Sequence, residues 1–260
     1  MAVKVHVDRL SMAFAAEGGD VLQALCDIDL AIASGRFVSL LGPSGCGKST
    51  LFNIIAGLLQ PTQGRILIDG EDATGTIGRV GYMLQKDLLL NWRTVLDNVI
   101  LGMELKGVSR REARRRALPL LRKHGLQGFE HLYPNVLSGG MRQRAALFRT
   151  LLCDTDVILL DEPFAALDAQ TRGQMQEWLL GLWADFGKTV VFVTHDVDEA
   201  IYLSDEIHVM AGRPGQVLET IHLDLPRPRP RNVVLSPAFV AVKERCLTLL
   251  SSSCQAAEAA

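Results

Sequence analysis

Between Gly42 and Thr50 the chain reads GPSGCGKST, three glycines followed by a lysine and two closing hydroxyls. The spacing fits G-x-x-x-x-G-K-[ST], with Gly42, Gly47, Lys48 and Ser49 in the fixed slots. Such a stretch suits phosphate. Phosphate oxygens are satisfied by a ring of backbone N–H groups and by the positive end of a helix. Bulky side chains would close that ring, so Gly42, Gly45 and Gly47 keep it open between Pro43, Ser44 and Cys46. Lys48 brings a mobile charge to β- and γ-phosphates, and the Ser49 hydroxyl, followed by Thr50, is suited to Mg²⁺.

Further polar residues stand where strands should end. Asp161 and Glu162 close the apolar run VILLDE. Two adjacent carboxylates after four apolar residues are costly unless they work at a strand tip. Neighbouring strand residues point to opposite faces, so the two acids take different tasks. Asp161 is the candidate for holding Mg²⁺ through its water shell, and Glu162 the candidate general base for an attacking water. His195 ends VVFVTH and Gln85 ends VGYMLQ. Both lie at the carboxyl edge of the expected sheet, as the glycine loop does. A polar loop residue is the bland alternative at each. Leu137 to Gln143, LSGGMRQ, is a second glycine-rich stretch, in which Ser138, Gly139 and Gly140 offer exposed backbone before a polar helix start.

The elements that must position these residues follow from hydrophobic spacing. VKVHVDRLSMAF alternates and reads as an edge strand, Gly18 to Asp20 as a turn, and VLQALCDIDLAIA as a second edge strand. RFVSLLG is a buried strand, and a helix starts near Lys48 and is stopped by Pro61 and Gly64. GRILIDG is a strand closed by an Asp69-Gly70 turn, and RVGYMLQ a strand ending at Gln85. From about Asp87 the texture becomes helical, through TVLDNVILGMELK and RREARRRALPLLRKHG. Asn135 to Gly140 reads as a loop. MRQRAALFRTLL follows as a helix with Ala145, Ala146, Phe148 and Leu152 together and Arg142, Gln143 and Arg149 largely elsewhere. DVILLDEP is a strand, TRGQMQEWLLGLWADF a helix ended by Gly187, KTVVFVTHD a strand, DVDEAIYLS a short helix and EIHVMAG a strand. Apolar strands separated by helices imply a mostly parallel sheet covered on both faces. After Asp224 the prolines of LPRPRPRN deny a packed helix or central strand. FVAVKERCLTLLSS suits a last short helix, and the final SSSCQAAEAA is expected to fray.

Bulk properties narrow the class. With 27 basic and 29 acidic residues among 260, the near-neutral balance gives no support to nucleic-acid binding, and the cluster RREARRR reads as solvated helix surface. Five cysteines, Cys26, Cys46, Cys153, Cys246 and Cys254, are an odd number with no metal-ligand spacing, which fits a reducing compartment. The start MAVKVHVDRL lacks the apolar core of a signal peptide, and no apolar run reaches about 18 residues, so a role at a membrane needs a partner.

In order, GPSGCGKST, the glutamine of YMLQ, LSGGMRQ, VILLDEP, ALD at Ala166 to Asp168 and TH at Thr194-His195 resemble the ATP-binding subunit of an ABC transporter over about residues 4 to 225. LSGGMRQ is the most specific of these, because other P-loop ATPases share the first site. The resemblance implies an α/β fold: a RecA-like P-loop NTPase core with an antiparallel β edge subdomain and an inserted α-helical subdomain. It implies an ATPase domain over residues 1–225 with the helical subdomain at about 87–154, and a short C-terminal extension over 226–260. It also implies that Ser138, Gly139 and Gly140 cap the ATP held by the phosphate loop of a second copy, in a head-to-tail dimer. By the same likeness Glu162 is the base and His195 the switch histidine. Gln85 senses the γ-phosphate and joins Ser49 and Asp161 at the metal, Asp168 crosses between subunits, and Phe14 stacks on adenine, a core Phe being the alternative. Met141 stands where many members have glutamine, a change familiar in importers.

LLGPSGCGKSTL, LLNWRTVLDNV, LSGGMRQRAAL, DEPFAALDAQTR, THDVDEAIYLSD and LPRPRPR look most like the nitrate/sulfonate/taurine importer branch. Ala165 and the Phe148-Arg149-Thr150 triplet depart from the usual pattern and read as tolerated packing changes. The branch implies ATP hydrolysis with Mg²⁺ and a transmembrane permease, whose coupling helix would meet Trp92 and the leucines at 88 to 90 unless these form a local core. It further implies a solute-binding protein acting indirectly, and a peripheral place on the cytoplasmic face of the inner (plasma) membrane. Another importer branch, such as one for thiamine-precursor pyrimidines, an exporter, or a non-transport ABC ATPase are the alternatives.

Overall fold

The computed structural model describes residues 2–15 and 20–258, with side chains through Ser252; Gly18 and Gly19 of the expected turn lie outside the described residues. Numbered along the chain, the strands are β1 (Val3–Ala15), β2 (Val21–Ala33), β3 (Phe37–Leu41), β4 (Gln63–Ile68), β5 (Glu71–Asp72), β6 (Gly81–Met83), β7 (Val157–Asp161), β8 (Thr189–Thr194), β9 (Glu206–Ala211) and β10 (Gln216–His222). The helices are α1 (Lys48–Ile55), α2 (Val95–Val99), α3 (Leu101–Leu105), α4 (Arg110–Lys123), α5 (Gly139–Leu151), α6 (Ala169–Phe186), α7 (Val197–Leu203) and α8 (Pro237–Glu258). The chain folds as two compact units, Met1–Arg79 with Phe186–Ala260, and Val80–Asp185.

In the first unit an antiparallel sheet runs in the order β2-β1-β4-β5. In β1 Val5, Val7, Leu10 and Met12 are buried, the alternation shifting register between Val7 and Leu10 at the left-handed Arg9 (φ 45°). β2 is an edge strand as expected, but β1 is not: β4 pairs with its other side, with Val5 opposite Ile68 and Val7 opposite Ile66. That pairing is made across a long stretch of chain and leaves no local mark. Asp69 (φ 54°) and Gly70 (φ 79°) are both left-handed, the two-residue turn a tight hairpin requires, and they pair β4 with β5.

The same unit holds the strand order β10-β9-β3-β8. β3 lies parallel to both β8 and β9, while β10 returns antiparallel to β9. All residues of β3 and β8 are buried, as their continuous apolar runs require of strands covered on both faces. Ser39, the polar residue of β3, is satisfied by the Ser204 hydroxyl. β10 was not anticipated; QVLETIH is half exposed and carries little apolar signal. α1 stops at Ile55, short of Pro61, where the chain turns left-handed at Gly57 (φ 76°), a position at which a Cβ would strike the backbone of Thr76 and Ile77. α8 extends to Glu258, so the backbone is helical through most of a tail expected to fray. Phe239 and Cys246, seven residues apart on one face, anchor it by burial.

In the second unit β6 and β7 are parallel, Met83 opposite Leu160. β6 ends two residues before Gln85, so Gln85 lies on the loop that follows. The helical stretch after Thr94 is two helices, α2 and α3, joined at Ile100. α4 opens on Ser109, whose hydroxyl accepts from Glu112 N. Gly139 and Gly140 belong to the first turn of α5, not to the preceding loop, because Ser138 caps that helix. Gln143 is buried, against the expectation from its polarity, on the face that includes Leu147. α6 ends before the left-handed Gly187 (φ 61°), as expected. Among the described residues no helix is long and apolar enough to cross a membrane.

Candidate functional site

The loop between β3 and α1 is built by its own backbone. The Lys48 ammonium, 5% exposed, donates to the carbonyls of Gly42 (2.7 Å) and Pro43 (2.8 Å) and lies 3.8 Å from Cys46 Sγ. Lysine thereby curls the loop around its own charge. Gly47, the N-cap of α1, has φ 96°, and a Cβ there would strike the Leu25 side chain; α1 has no side-chain cap. On Gly42 a Cβ would run into the Met210 carbonyl. The chain thus fits a phosphate, because no side chain caps the first amides of α1 and the cradle excludes side chains. Ser44, Gly45 and Ser49 are exposed on this loop, Thr50 is half-buried and Cys46 is buried. Burial pushes the Cys46 thiol pKa up, outweighing the pull of Lys48.

His195 is brought to the same place. Leu41 pairs with Thr194 in the parallel β3–β8 ladder, and Gly42 N donates to Thr194 O at 3.4 Å. His195 is the next residue and is exposed. Its neighbours are fixed: Asp196 N donates to Thr194 Oγ1 (3.0 Å), which itself donates to Glu199 Oε2 (2.5 Å). Phe14 stands near the open end of β1, opposite Leu22, 37% exposed and beside the exposed Val21. That exposure removes the reading of Phe14 as a core residue.

The second unit gathers the remaining candidates. Asp161 ends β7 and is 7% exposed; the Tyr82 hydroxyl donates to its Oδ2 across the β6–β7 pair at 3.5 Å. Burial and the Asp161 carboxylate both push the Tyr82 phenol pKa well above its usual range, so it remains a donor. Glu162 follows in a left-handed conformation (φ 43°), unusual for a residue with a side chain and the kind of strain kept at working positions.

Gln85 is exposed on the loop after β6 and shares an open depression with Asp87, Leu88, Gly139, Arg142 and Leu167. α5 grips that loop. Arg142 Nε donates to Asp87 Oδ2 (3.2 Å), and Arg149 donates to the carbonyls of Asp87 (2.6 Å) and Leu88 (2.7 Å). Burial lowers the Arg149 pKa, and the nearby Asp87 opposes that. Arg149, which in sequence looks like part of a packing change, therefore ties the glutamine loop to the helix that begins at Ser138. Tyr82 and Arg149 are the residues that sequence reasoning missed. Their partners are a carboxylate on the next strand and carbonyls some sixty positions away, which no spacing reveals.

Ser138 is exposed and caps α5, its hydroxyl accepting from Met141 N at 3.3 Å. Asp168 is exposed and caps α6 in the same way, accepting from Thr171 N at 3.0 Å. That hydrogen bond holds its carboxyl below the usual range. Trp92 (76% exposed) and Leu88 (51%) are open to solvent, whereas Leu89 is buried. Leu90 is half-buried, so of these four residues two offer open apolar surface and Leu89 belongs to a local core.

The fold and these loops define a P-loop ATPase of the ABC type. The ABC transporter family model matches residues 25–165. The chain belongs to that family as an ATP-binding subunit, in the nitrate/sulfonate/taurine import branch. It is 44% identical to the taurine import ATP-binding protein of Rhizobium johnstonii, over 96% of this chain and 97% of that one. An uncharacterized ABC transporter ATP-binding protein of Methanocaldococcus jannaschii is 46% identical, over 96% and 92% of the two chains. Among solved structures, a dimeric ATP-binding cassette in a post-hydrolysis state, bound to ADP and phosphate, matches with a TM-score of 0.73 and 34% identity. That match covers 85% of this chain and 100% of the cassette.

Proposed function

We propose that this chain hydrolyses ATP within a head-to-tail pair of copies and that the cycle drives import of a small sulfonate, taurine-like or nitrate-like solute through a partner permease. The observation that carries the reading is the pairing of two glycine-rich helix starts in one chain, the uncapped α1 after Gly47 and the exposed α5 after Ser138. In this reading residues 1–225 are the ATPase domain, about 87–154 its helical subdomain, and 226–260 an extension.

Within the site each residue has one task. The amides from Gly42 to Thr50 hold the phosphates, and Lys48 exchanges its loop carbonyls for β- and γ-phosphate oxygens. Mg²⁺, when bound with the nucleotide, neutralises charge on those phosphates, and Ser49, Asp161 and Gln85 would hold it. Glu162 accepts the proton of the water that attacks the γ-phosphorus, giving ADP and phosphate. His195 steadies a γ-phosphate oxygen, and Phe14 stacks on adenine. Ser138, Gly139 and Gly140 of the second copy cover the outer face of the nucleotide, and Asp168 lies at the crossing between copies. Loss of the shared γ-phosphate after hydrolysis opens the pair. Trp92 and Leu88 form the apolar surface for the permease. A solute-binding protein acts through the permease, and the subunit works peripherally on the cytoplasmic face of the plasma membrane. Taurine, named for the relatives from Rhizobium johnstonii and Yersinia pestis, supports the cargo class.

Reconstitution with the candidate permease tests this. ATP turnover should rise with binding protein loaded with taurine, an alkanesulfonate or nitrate. Stimulation only by a thiamine-precursor pyrimidine would move the chain to another branch, and indifference to every loaded binding protein would remove the import reading.

A further inference from the structure

The helix that follows His195 is too short to hold itself: α7 has seven residues, and isolated helices of fewer than about 12 are marginal in water. Its start is bolted by the Thr194–Asp196–Glu199 hydrogen bonds given above, with Asp196 Oδ1 also accepting from Glu199 N at 3.1 Å. Its end is completed from far along the chain. The last four carbonyls of a helix have no partner within it. Here Ala200 O accepts from Ser204 N (3.2 Å), Ile201 O and Tyr202 O both accept from Arg229 Nη1 (3.0 and 2.9 Å), and Leu203 O accepts from Arg227 Nη2 (2.6 Å).

Both arginines come from LPRPRPR. Arg229 is 5% exposed, whereas Pro226, Pro228 and Pro230 are exposed, so the proline-rich segment directs its arginines inward. Arg227 also donates through Nε to Asp205 (2.8 Å). The Tyr202 hydroxyl donates to Arg229 O (3.1 Å), and the Arg231 guanidinium lies over the Tyr202 ring, 5.7 Å from its centroid. A cation at a helix C-terminus is favoured by the dipole, most of all where water is excluded. Burial pulls the Arg229 pKa down to about 10, which leaves it charged at neutral pH.

We infer that Arg227 and Arg229 are positioning residues for ATP turnover: by closing the C-terminal end of α7 they hold His195, at its other end, in register with the phosphate loop. The inference rests on the reading of His195 as the γ-phosphate contact, and it gives the C-terminal extension a task.

The test is a mutant cycle in the full-length chain. Arg229→Ala should lower kcat about tenfold with the KM for ATP within about twofold, and Arg227→Ala less. Amides of residues 197–204 should exchange faster in both. In a His195→Ala background, Arg229→Ala should change kcat by less than about twofold, because residues acting through one group are not additive. Arg229→Lys should recover part of the loss and slow the exchange. If Arg229→Ala is too unstable to purify, Arg227→Ala and Arg229→Lys are carried through the same cycle. Wild-type kcat in the folded variants, or equal losses with and without His195, would overturn the inference while leaving His195's role intact. Wild-type turnover in His195→Ala alone would remove the reading of His195, and this inference with it.

Discussion

Two glycine-rich stretches of this chain each open a helix, and they do so in opposite ways. The loop before α1 is closed on itself, with a buried Lys48 on the carbonyls of Gly42 and Pro43, a left-handed Gly47 and no side-chain cap. The stretch before α5 brings its own cap, Ser138, and presents it to solvent. An uncapped helix start wants an anion to complete it, whereas a capped and exposed one is already stable and can serve a ligand held elsewhere. The difference fits the proposal that the first stretch holds phosphate and the second covers it.

Breaking the first stretch should have the largest effect. Lys48→Ala should lower kcat/KM for ATP by about 10³-fold, because it removes both the loop's organising charge and the cation for the transferred phosphoryl group. Steady-state ATPase assays check this, and a loss below about tenfold would contradict the assignment. Glu162→Gln should follow, with turnover down at least about 10²-fold and ATP affinity retained, since only proton transfer is lost. Equilibrium nucleotide binding beside single-turnover hydrolysis separates the two, and wild-type turnover would remove Glu162 as base. Ser138→Arg should leave ATP binding by the isolated chain unchanged yet lower turnover about 10²-fold by blocking the exposed helix start. Weakened binding to the monomer would erase the contrast between the stretches.

Gly47→Ala sharpens the comparison through stability. A left-handed alanine and a clash with Leu25 should cost about 1–3 kcal/mol, seen as a lower thermal midpoint, whereas Gly140→Ala, in the helical first turn of α5, should be close to neutral. The smallest effect concerns acid. Burial raises the Asp97 carboxyl pKa, but hydrogen bonds from Arg114 and Arg110 outweigh it, so the net pKa is lowered. A lowered folded-state pKa contributes stability that is whole above about pH 3.9 and is lost as pH falls through the folded value. Amides in α2 and α4 should therefore lose protection below that pH before those of β3, and Asp97→Asn should remove the difference.

Much of this was legible in the sequence because it is local. GPSGCGKST lies between a strand and a helix as its pattern requires, and the ends of β7 and β8 carry the acids and the histidine as their apolar runs imply. What was not legible depends on distant partners. β1 looks like an edge until β4 arrives, and α5 looks as if it starts after Gly140 because glycine disfavours helix while the Ser138 cap outweighs it. The prolines of LPRPRPR speak only against a helix or central strand, and nothing local to the segment names the α7 carbonyls that receive Arg227 and Arg229.

The central claim is that one chain holds the nucleotide and a second covers it. Light scattering on Glu162→Gln with and without ATP and Mg²⁺ tests it most directly. The mass should double when ATP is added and stay that of one chain when Ser138→Arg is also present. A nucleotide-loaded Glu162→Gln chain that remains single, or a Ser138→Arg double variant that pairs as tightly, would contradict the account.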